Sequence, residues 1–197
     1  MIKDSPKTAK VYDRFMTFFD SLFIRRWRNL LWQKVEGTKI LEAGGGTGLN
    51  IAHYKPGHTV TFVDKNAHFL YIARKRAQKK GIKVHFYCGD VGHICVKKGF
   101  YDSAVSTFLF CSVKDPLAVL KELYRVLRKD GYLVLLEQIP SASLIGSFMN
   151  FLARPFYALF GARLAPDLKQ KAKKAGFSEI FVYPVFLDTV SMIKARK

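Results

Sequence analysis

Short apolar runs alternate with helical stripes along most of this chain. Five of the runs are rich in β-branched and aromatic residues and are bounded by glycine or polar residues, which predicts β-strands. These runs cover residues 38–43, 59–64, 83–88, 101–108 and 132–138. Between them, Ala67 to Lys80 and Asp115 to Arg128 repeat apolar residues at helical spacing. The alternation predicts an α/β fold in which helices cover both faces of a mostly parallel sheet.

The C-terminal residues predict two more strands, SEIFVYPVF at 178–186 and the segment DTVSMIKARK at 188–197, joined by a turn near Leu187 and Asp188. They are expected to close a seven-stranded sheet as an antiparallel hairpin. No internal repeat or Pro/Gly-rich linker divides the chain, so one domain is predicted. Its predicted parts are N-terminal amphipathic helices at 1–36, an α/β core at 37–140, a helical insertion at 141–175 and C-terminal strands at 176–197.

Two segments outside this series are amphipathic. In the first, apolar residues follow helical spacing and arginines come directly after them: Phe15, Phe18, Phe19, Leu22 and Phe23, then Arg25, Arg26 and Arg28. The second has the same pattern, flanked by Arg154 and Arg163 and divided by Pro155: Leu144, Phe148, Phe151, Leu152, Phe156, Leu159 and Phe160. Such helices fit an anionic membrane surface, where arginines meet headgroups and phenylalanines enter the interface. The alternative is that both stripes belong to the core or to a lid over the substrate.

About half of the residues, 49%, are apolar, which predicts a folded chain. The formal net charge of +18 is extreme for 197 residues. Such a charge attracts phosphate groups, whether in nucleic acid or at an anionic lipid surface. Charge does not choose between these partners. A lysine-rich surface that serves solubility or thermal stability stays open as a third interpretation.

The three cysteines, Cys88, Cys95 and Cys111, form no CxxC pair, so neither a disulfide framework nor a metal site is indicated. The chain has no apolar run of membrane-spanning length, and its first ten residues lack the apolar core of a secretion signal. These features predict a cytoplasmic protein, with peripheral contact at the inner face of the membrane as the extension that the amphipathic segments suggest.

A glycine-rich segment, Glu42-Ala43-Gly44-Gly45-Gly46-Thr47-Gly48, lies where the first predicted strand ends. Its E-x-G-x-G-x-G spacing differs from the dinucleotide motif GxGxxG, because the third required glycine falls on Leu49. It also differs from the phosphate-binding P-loop, because no Lys-Ser or Lys-Thr pair follows. Missing β-carbons and exposed N–H groups at the next helix start suit a ligand with a carboxylate pressed against the turn.

Asp64 ends the next predicted strand about 20 residues beyond the first glycine, where a carboxylate can accept hydrogen bonds from both hydroxyls of a ribose. Together the glycine segment and Asp64 resemble motif I and the acidic residue of class I methyltransferases. That resemblance implies a Rossmann-like fold and S-adenosylmethionine as cofactor, converted to S-adenosylhomocysteine. It also assigns further cofactor-binding positions: Glu42, Ala43, Gly44, Gly46, Gly48, Lys65, Phe69, Gly89, Asp90, Val91, Thr107, Phe108 and Tyr12.

Three longer segments, VYDRFMTFFDSLF, GGGTGLNIAHY and CSVKDPLAVLKELYRVLR, are most similar to bacterial phospholipid N-methyltransferases and their quinone-methylating relatives. The resemblance implies methylation of a phosphatidylethanolamine amine, with Tyr12 in an N-terminal lid. Tyr12 and Glu137 are the predicted catalytic residues, since Glu137 ends the fifth strand and carries a group able to accept or orient a proton. His53 and Tyr54 are further candidates for that role or ordinary surface residues.

Other functions stay open at this point: quinone C-methylation, methylation of a small molecule such as a thiol, RNA methylation, and cofactor binding without turnover. The fourth strand ends in Thr-Phe-Leu-Phe-Cys-Ser, unlike the Asn/Asp-Pro-Pro-Tyr of enzymes that methylate exocyclic base amines. Nucleic acid is therefore the weaker prediction, which the charge keeps open. The predicted partners are a lipid or amphipathic substrate and no metal.

Overall fold

One seven-stranded sheet organises the molecule in the computed structural model, which describes residues 5–140 and 167–197. The strands are β1 (Lys39–Ala43), β2 (Thr59–Asp64), β3 (Val84–Cys88), β4 (Tyr101–Thr107), β5 (Leu127–Gln138), β6 (Ser178–Phe186) and β7 (Val190–Arg196). Their spatial order is β3-β2-β1-β4-β5-β7-β6. The first five strands are parallel, and β7 pairs antiparallel with both β5 and β6. This confirms the predicted fold class, including the C-terminal hairpin.

Three of the described helices begin after a residue whose side chain satisfies free backbone N–H groups, and Ser5 is the first of these residues. Asn66 caps one helix through the N–H groups of His68 and Phe69, and Asp115 caps another ahead of Pro116. The helical segments are α1 (Pro6–Phe19), a π-helix (Asp20–Ile24), α2 (Arg25–Gln33), a 3-10 helix (Leu49–His53), α3 (Ala67–Lys80), α4 (Pro116–Val126) and α5 (Leu168–Lys174). The predicted bounds of α3 are confirmed at both ends.

Two helix predictions need correction. The stripe predicted as helical to Arg128 ends at Val126, because Leu127 turns extended and pairs with Tyr101 as the first residue of β5. The helix expected after the glycine segment is only a five-residue 3-10 helix, since Pro56 and Gly57 follow it closely before β2 begins. The second amphipathic segment, at 144–160, lies outside the described residues.

The apolar core lies on both faces of the sheet. On one face, α4 and α5 cover the central strands with fully buried side chains such as Leu120 and Leu123. On the other face, Leu31 and Trp32 of α2 pack over β1, β4 and β5. Because both faces are covered, the carboxyl edge of the parallel strands is the place where polar side chains meet.

Candidate active site

Three parallel strands deliver most of the predicted site residues to one edge of the sheet. The glycine turn, residues 44–48, follows β1, Asp64 ends β2, and Thr107 ends β4. The strand order reverses between β1 and β4, and open α/β sheets bind ligands at the carboxyl ends of strands beside such a reversal. The topology therefore supports this edge as the candidate site.

Asp64 lies directly against the glycine turn. Its Oδ2 accepts the Gly46 N–H at 2.8 Å, and its Oδ1 accepts the Asn66 N–H at 2.9 Å. Burial raises the pKa of the Asp64 carboxyl, while these two N–H donors oppose the rise. A carboxylate has about four acceptor sites, so the two donors leave it able to accept from a pair of hydroxyl groups. This arrangement fits the predicted role of Asp64 toward a ribose.

Gly45 and Gly46 are suited to glycine for two different spatial reasons. A β-carbon at Gly45 would lie 2.3 Å from the Phe62 ring, so the glycine is needed for the turn to pack on β2. A β-carbon at Gly46 would meet nothing within 4 Å, and the backbone there has a φ of +60°. The face of the turn at Gly46 is thus open and lies beside Asp64. These observations fit a ligand such as S-adenosylmethionine, with Asp64 and the turn as the residues that would hold it.

Four N–H groups of the turn itself are satisfied within the protein, so they do not face a ligand. Gly44 and Gly45 donate to the Val63 carbonyl, Gly46 donates to Asp64, and Gly48 donates to the Gly45 carbonyl. The physical reason is the tight bend itself, which satisfies these donors within the protein.

Tyr12 of α1 stacks on Phe69 of α3, with ring centroids 5.0 Å apart and planes inclined by 22°. Burial raises the pKa of the Tyr12 hydroxyl to about 12, with a further rise from Cys111, while the positive charge of Arg28 opposes it. The phenol is therefore protonated at neutral pH. The stack brings two residues predicted from the sequence, 57 positions apart, into contact beside Asp64.

A buried polar network lies beneath the glycine turn and joins α2, the 3-10 helix, β1 and β4. Arg28, which is only 4% exposed, donates to Asp20 Oδ1 at 2.6 Å and to Asn50 Oδ1 and Thr107 Oγ1 at 2.8 Å each. Asn50 Nδ2 in turn donates to Glu42 Oε1 at 3.0 Å. The prediction that Arg28 meets lipid is therefore wrong, because this side chain points inward.

Glu42 and Tyr54 close this network. The Tyr54 hydroxyl donates a short hydrogen bond to Glu42 Oε2, so both Glu42 oxygens accept from protein groups. Burial raises the pKa of Glu42 to about 7 despite the hydrogen bonds from Tyr54 and Asn50. Burial also raises the pKa of Tyr54 well above 10. Tyr54 is thus neither a surface residue nor a free base, and burial next to Arg28 lowers the pKa of the neighbouring His53.

Glu137 is fully buried at the end of β5. Its Oε1 accepts the N–H of Leu109 at 2.8 Å and that of Phe110 at 3.3 Å, which anchors the loop after β4. Its Oε2 has no hydrogen-bond partner among the described residues. Burial raises the pKa of Glu137 to about 8, so this carboxyl holds a proton at neutral pH. Burial and the nearby Glu137 raise the pKa of the Cys111 thiol to about 12 in the same loop.

The remaining predicted residues lie around the same edge. The Gly89 N–H donates to the Asp64 carbonyl at 3.1 Å, and Asp90 Oδ1 accepts the Gly92 N–H at 2.7 Å. Val91 is buried, whereas Lys65 is exposed beyond β2. Phe108 has a φ of +53°, an uncommon conformation for an aromatic residue. The cofactor-binding roles of these residues stay predictions.

Two arginines were not predicted correctly from the sequence. Arg76 of α3, which donates to Asp13 and to the Thr47 carbonyl oxygen, was not singled out, and Arg28 was expected to meet lipid. Both are arginines among many basic residues, so composition gave no reason to single them out. The only signal for Arg28 was its spacing of eight residues from Asp20, which places the two on one side of a helix. No comparable local signal marked Arg76, whose partners are 29 and 63 residues away.

Comparisons with known proteins agree with this geometry. A family model described as "Methyltransferase domain" matches residues 41–135. The human thiol S-methyltransferase TMT1B is 32% identical over 149 residues, covering 72% of this chain and 60% of that protein. The demethylmenaquinone methyltransferase of Thermus thermophilus is 34% identical over 122 residues, covering 58% of this chain and 55% of that protein. The chain thus spans less than two thirds of the length of either relative.

Among solved structures, a SAM-dependent methyltransferase from Thermotoga maritima superimposes with a TM-score of 0.68 at 23% identity. The match covers 95% of this chain and 99% of that one. At this identity the likeness concerns the fold, and it extends over nearly the whole length of both chains.

Proposed function

Because the chain belongs to the class I S-adenosylmethionine-dependent methyltransferases, we propose that it transfers the methyl group of this cofactor to the sulfur of a small thiol. When bound, S-adenosylmethionine supplies an electrophilic methyl group on a sulfonium sulfur. The thiolate sulfur forms a bond to the methyl carbon, the bond from that carbon to the sulfonium breaks, and the thiol proton passes to solvent. The residues of the chain then have to bind the cofactor and the acceptor, orient the two toward each other and exclude water.

The observation that carries the choice of acceptor is the state of the buried carboxyl groups at the site. Asp64 is engaged by the glycine turn, Glu42 by Asn50 and Tyr54, and the fully buried Glu137 by the N–H groups of Leu109 and Phe110. Within the described residues, none of these three is placed as a free base. An acceptor that ionises by itself suits such a site.

A thiol meets this requirement better than an amine. Free thiols have a pKa of about 8.5, so a few per cent is thiolate at neutral pH without help from the protein. Alkyl amines, with a pKa of about 10, are almost entirely ammonium and need a base before they can attack. The net charge of +18 also favours an anionic nucleophile. The thiol S-methyltransferase names among the relatives agree with this proposal.

A quinone-type ring is the second candidate acceptor, supported by the relationship to the demethylmenaquinone methyltransferase.

The phospholipid amine predicted from the sequence is supported by a different observation, the exposed apolar surface of α1 and the π-helix. Four large apolar side chains, two in α1 and two in the π-helix, are more than half exposed: Val11, Phe18, Leu22 and Phe23. The exposed cations Lys7, Lys10, Arg14, Arg25 and Arg26 accompany them.

These exposed residues form an amphipathic surface, and we propose that it rests on an anionic bilayer from which lipophilic acceptors reach the site. Val11 and Phe18 are two helical turns apart, so they share one side of α1. Tyr12 and Asp13 lie on a different side, where they contact Phe69 and Arg76 of α3. In residues 5–140 and 167–197 no helix is long and apolar enough to cross a membrane.

The acceptor is tested by incubating the full chain with methyl-labelled S-adenosylmethionine and separate pools of small thiols, a demethylated hydroquinone, phosphatidylethanolamine vesicles and RNA. We expect label in the thiol pool, at a rate that rises between about pH 7 and about pH 9 with the thiolate fraction. Label in phospholipid or RNA but not in thiols would overturn the proposed acceptor. If the rate of thiol methylation did not change with pH, ionisation of the thiol in solution would not be what suits it to this site.

A further inference from the structure

Arg76 of α3 joins two parts of the molecule that are far apart in the sequence. Its Nη1 donates to Asp13 Oδ1 at 2.8 Å and to the Thr47 carbonyl oxygen at 2.5 Å. Its Nη2 donates to Asp13 Oδ2 at 3.3 Å and to Thr17 Oγ1 at 2.9 Å. A guanidinium fork makes such a four-way set of contacts, whereas the point charge of a lysine does not.

Two of the three partners of Arg76, Thr47 and Asp13, belong to the candidate site or adjoin it. Thr47 is the residue between Gly46 and Gly48 in the glycine turn, and its side chain and backbone are almost fully buried. Asp13 follows Tyr12, whose ring stacks on Phe69. The Arg76 side chain therefore connects the turn beside Asp64 with the helix that carries Tyr12.

Apart from this pair, charge works against close packing of α1 on α3. A groove of about 380 Å³ lies between the two helices, and its lining includes Lys10, Lys75 and Lys79 as well as Arg76. Asp13 is the one acidic residue among those that line it in the described part of the chain. Since like charges face each other across this groove, the Arg76–Asp13 pair is the contact that offsets their repulsion.

We infer that Arg76 is a positioning residue that latches α1 over the cofactor site, so that ligand binding at the glycine turn and the seating of Tyr12 on Phe69 stabilise each other. This rests on the proposed function for the identity of the ligand. With the latch in place, α1 closes the adenosine side of the site, because Asp13, Tyr12 and Arg76 are fixed relative to the turn. Without it, the Tyr12–Phe69 stack and the buried Ala9 still join the helix to α3, but among the described residues no charged pair fixes it to the turn.

The test measures S-adenosylhomocysteine affinity and proteolytic cleavage within α1 for the full chain and four variants. We expect Arg76→Gln and Asp13→Asn each to weaken binding about three- to tenfold, as for the loss of partly exposed charged hydrogen bonds. The double variant should bind no worse than Arg76→Gln alone, because the two residues act as one unit. Bound S-adenosylhomocysteine should protect α1 from cleavage in the unaltered chain and much less in these variants.

Lys79→Gln is the matched control, since it removes one positive charge from the same helix and groove and leaves the hydrogen bonds of Arg76 to Asp13 in place. Because it also lowers the repulsion across the groove, it should neither weaken S-adenosylhomocysteine binding nor increase cleavage within α1. Additive losses in the double variant, or equal losses in Lys79→Gln, would overturn the latch. Failure of the unaltered chain to bind S-adenosylhomocysteine would instead refute the proposed function, so the two failures are distinguishable.

Discussion

Glu137 shows how burial decides what a predicted catalytic residue does. The sequence placed a carboxyl group at the end of β5, and the structure surrounds it with apolar core and two N–H donors. Those donors favour the charged form, but burial outweighs them and the pKa rises to about 8. The group therefore acts first as an anchor for the loop that carries Cys111, and its catalytic role stays a prediction.

This shift makes a prediction about stability. Because the folded pKa of Glu137 is above its usual value of 4.5, the native state binds the extra proton, and stability is lost as pH rises from about 4.5 through about 8. Glu137→Gln keeps a neutral acceptor for Leu109 and Phe110 and does not ionise. Thermal unfolding from pH 5 to pH 9 should therefore show the variant gaining on the unaltered chain as pH rises. Parallel curves would contradict the raised pKa.

The site residues that could be predicted from the sequence are those whose place in the fold follows from their position at the end of a strand. Asp64 and the glycine turn were predictable because both end neighbouring parallel strands, which forces them to one edge. Arg28 was misread because exposure of a basic residue is the usual case, and only long-range partners such as Thr107 bury it. The same limit applies to Arg76, whose contacts depend on how α1 packs on α3.

At the scale of elements, α1 serves two surfaces at once. One side carries Tyr12 and Asp13 toward α3, and another exposes Phe18 and Val11 beside cationic side chains. The amphipathic spacing predicted a helix here, but spacing alone did not say which apolar residues stay exposed. The π-helix Asp20–Ile24 follows directly, and it turns Asp20 inward to pair with Arg28.

The exposed side of α1 predicts binding to anionic vesicles. Phe18→Ser combined with Leu22→Ser should weaken co-sedimentation with phosphatidylglycerol vesicles by at least about tenfold, because each side chain loses apolar burial worth about 1.5–3 kcal/mol. Phe181→Ser on β6 is the control, as that ring is also about half exposed (53%) but lies on the edge strand. Raising the salt concentration should release the unaltered chain. Binding that ignores salt, or equal loss in the control, would count against this surface.

Boundaries between elements were harder to predict than the elements themselves. Leu127 continues the apolar stripe of α4, so periodicity kept it helical, yet its backbone is extended and it pairs with Tyr101. Pairing between strands that lie 26 residues apart is not visible in a local window. The hairpin of β6 and β7 was predictable because its strands and its turn are adjacent in the chain.

At the scale of the whole molecule, the fold collects a few acidic side chains at one edge of a strongly basic protein. The strand order places Asp64, the glycine turn and Thr107 beside the reversal between β1 and β4. The net charge of +18 makes the protein as a whole attractive to anionic acceptors and surfaces. This arrangement is the one that the proposed function needs, with Asp64 toward the cofactor ribose and an acceptor that is an anion.

If the glycine turn and Asp64 together hold S-adenosylmethionine, they also bind its product S-adenosylhomocysteine, and titration calorimetry measures that binding. The unaltered chain should bind, Asp64→Asn should bind at least about tenfold more weakly through loss of charged hydrogen bonds, and Glu179→Gln on the edge strand β6 should bind as the unaltered chain does. No binding to the unaltered chain, or equal binding by Asp64→Asn, would contradict the account.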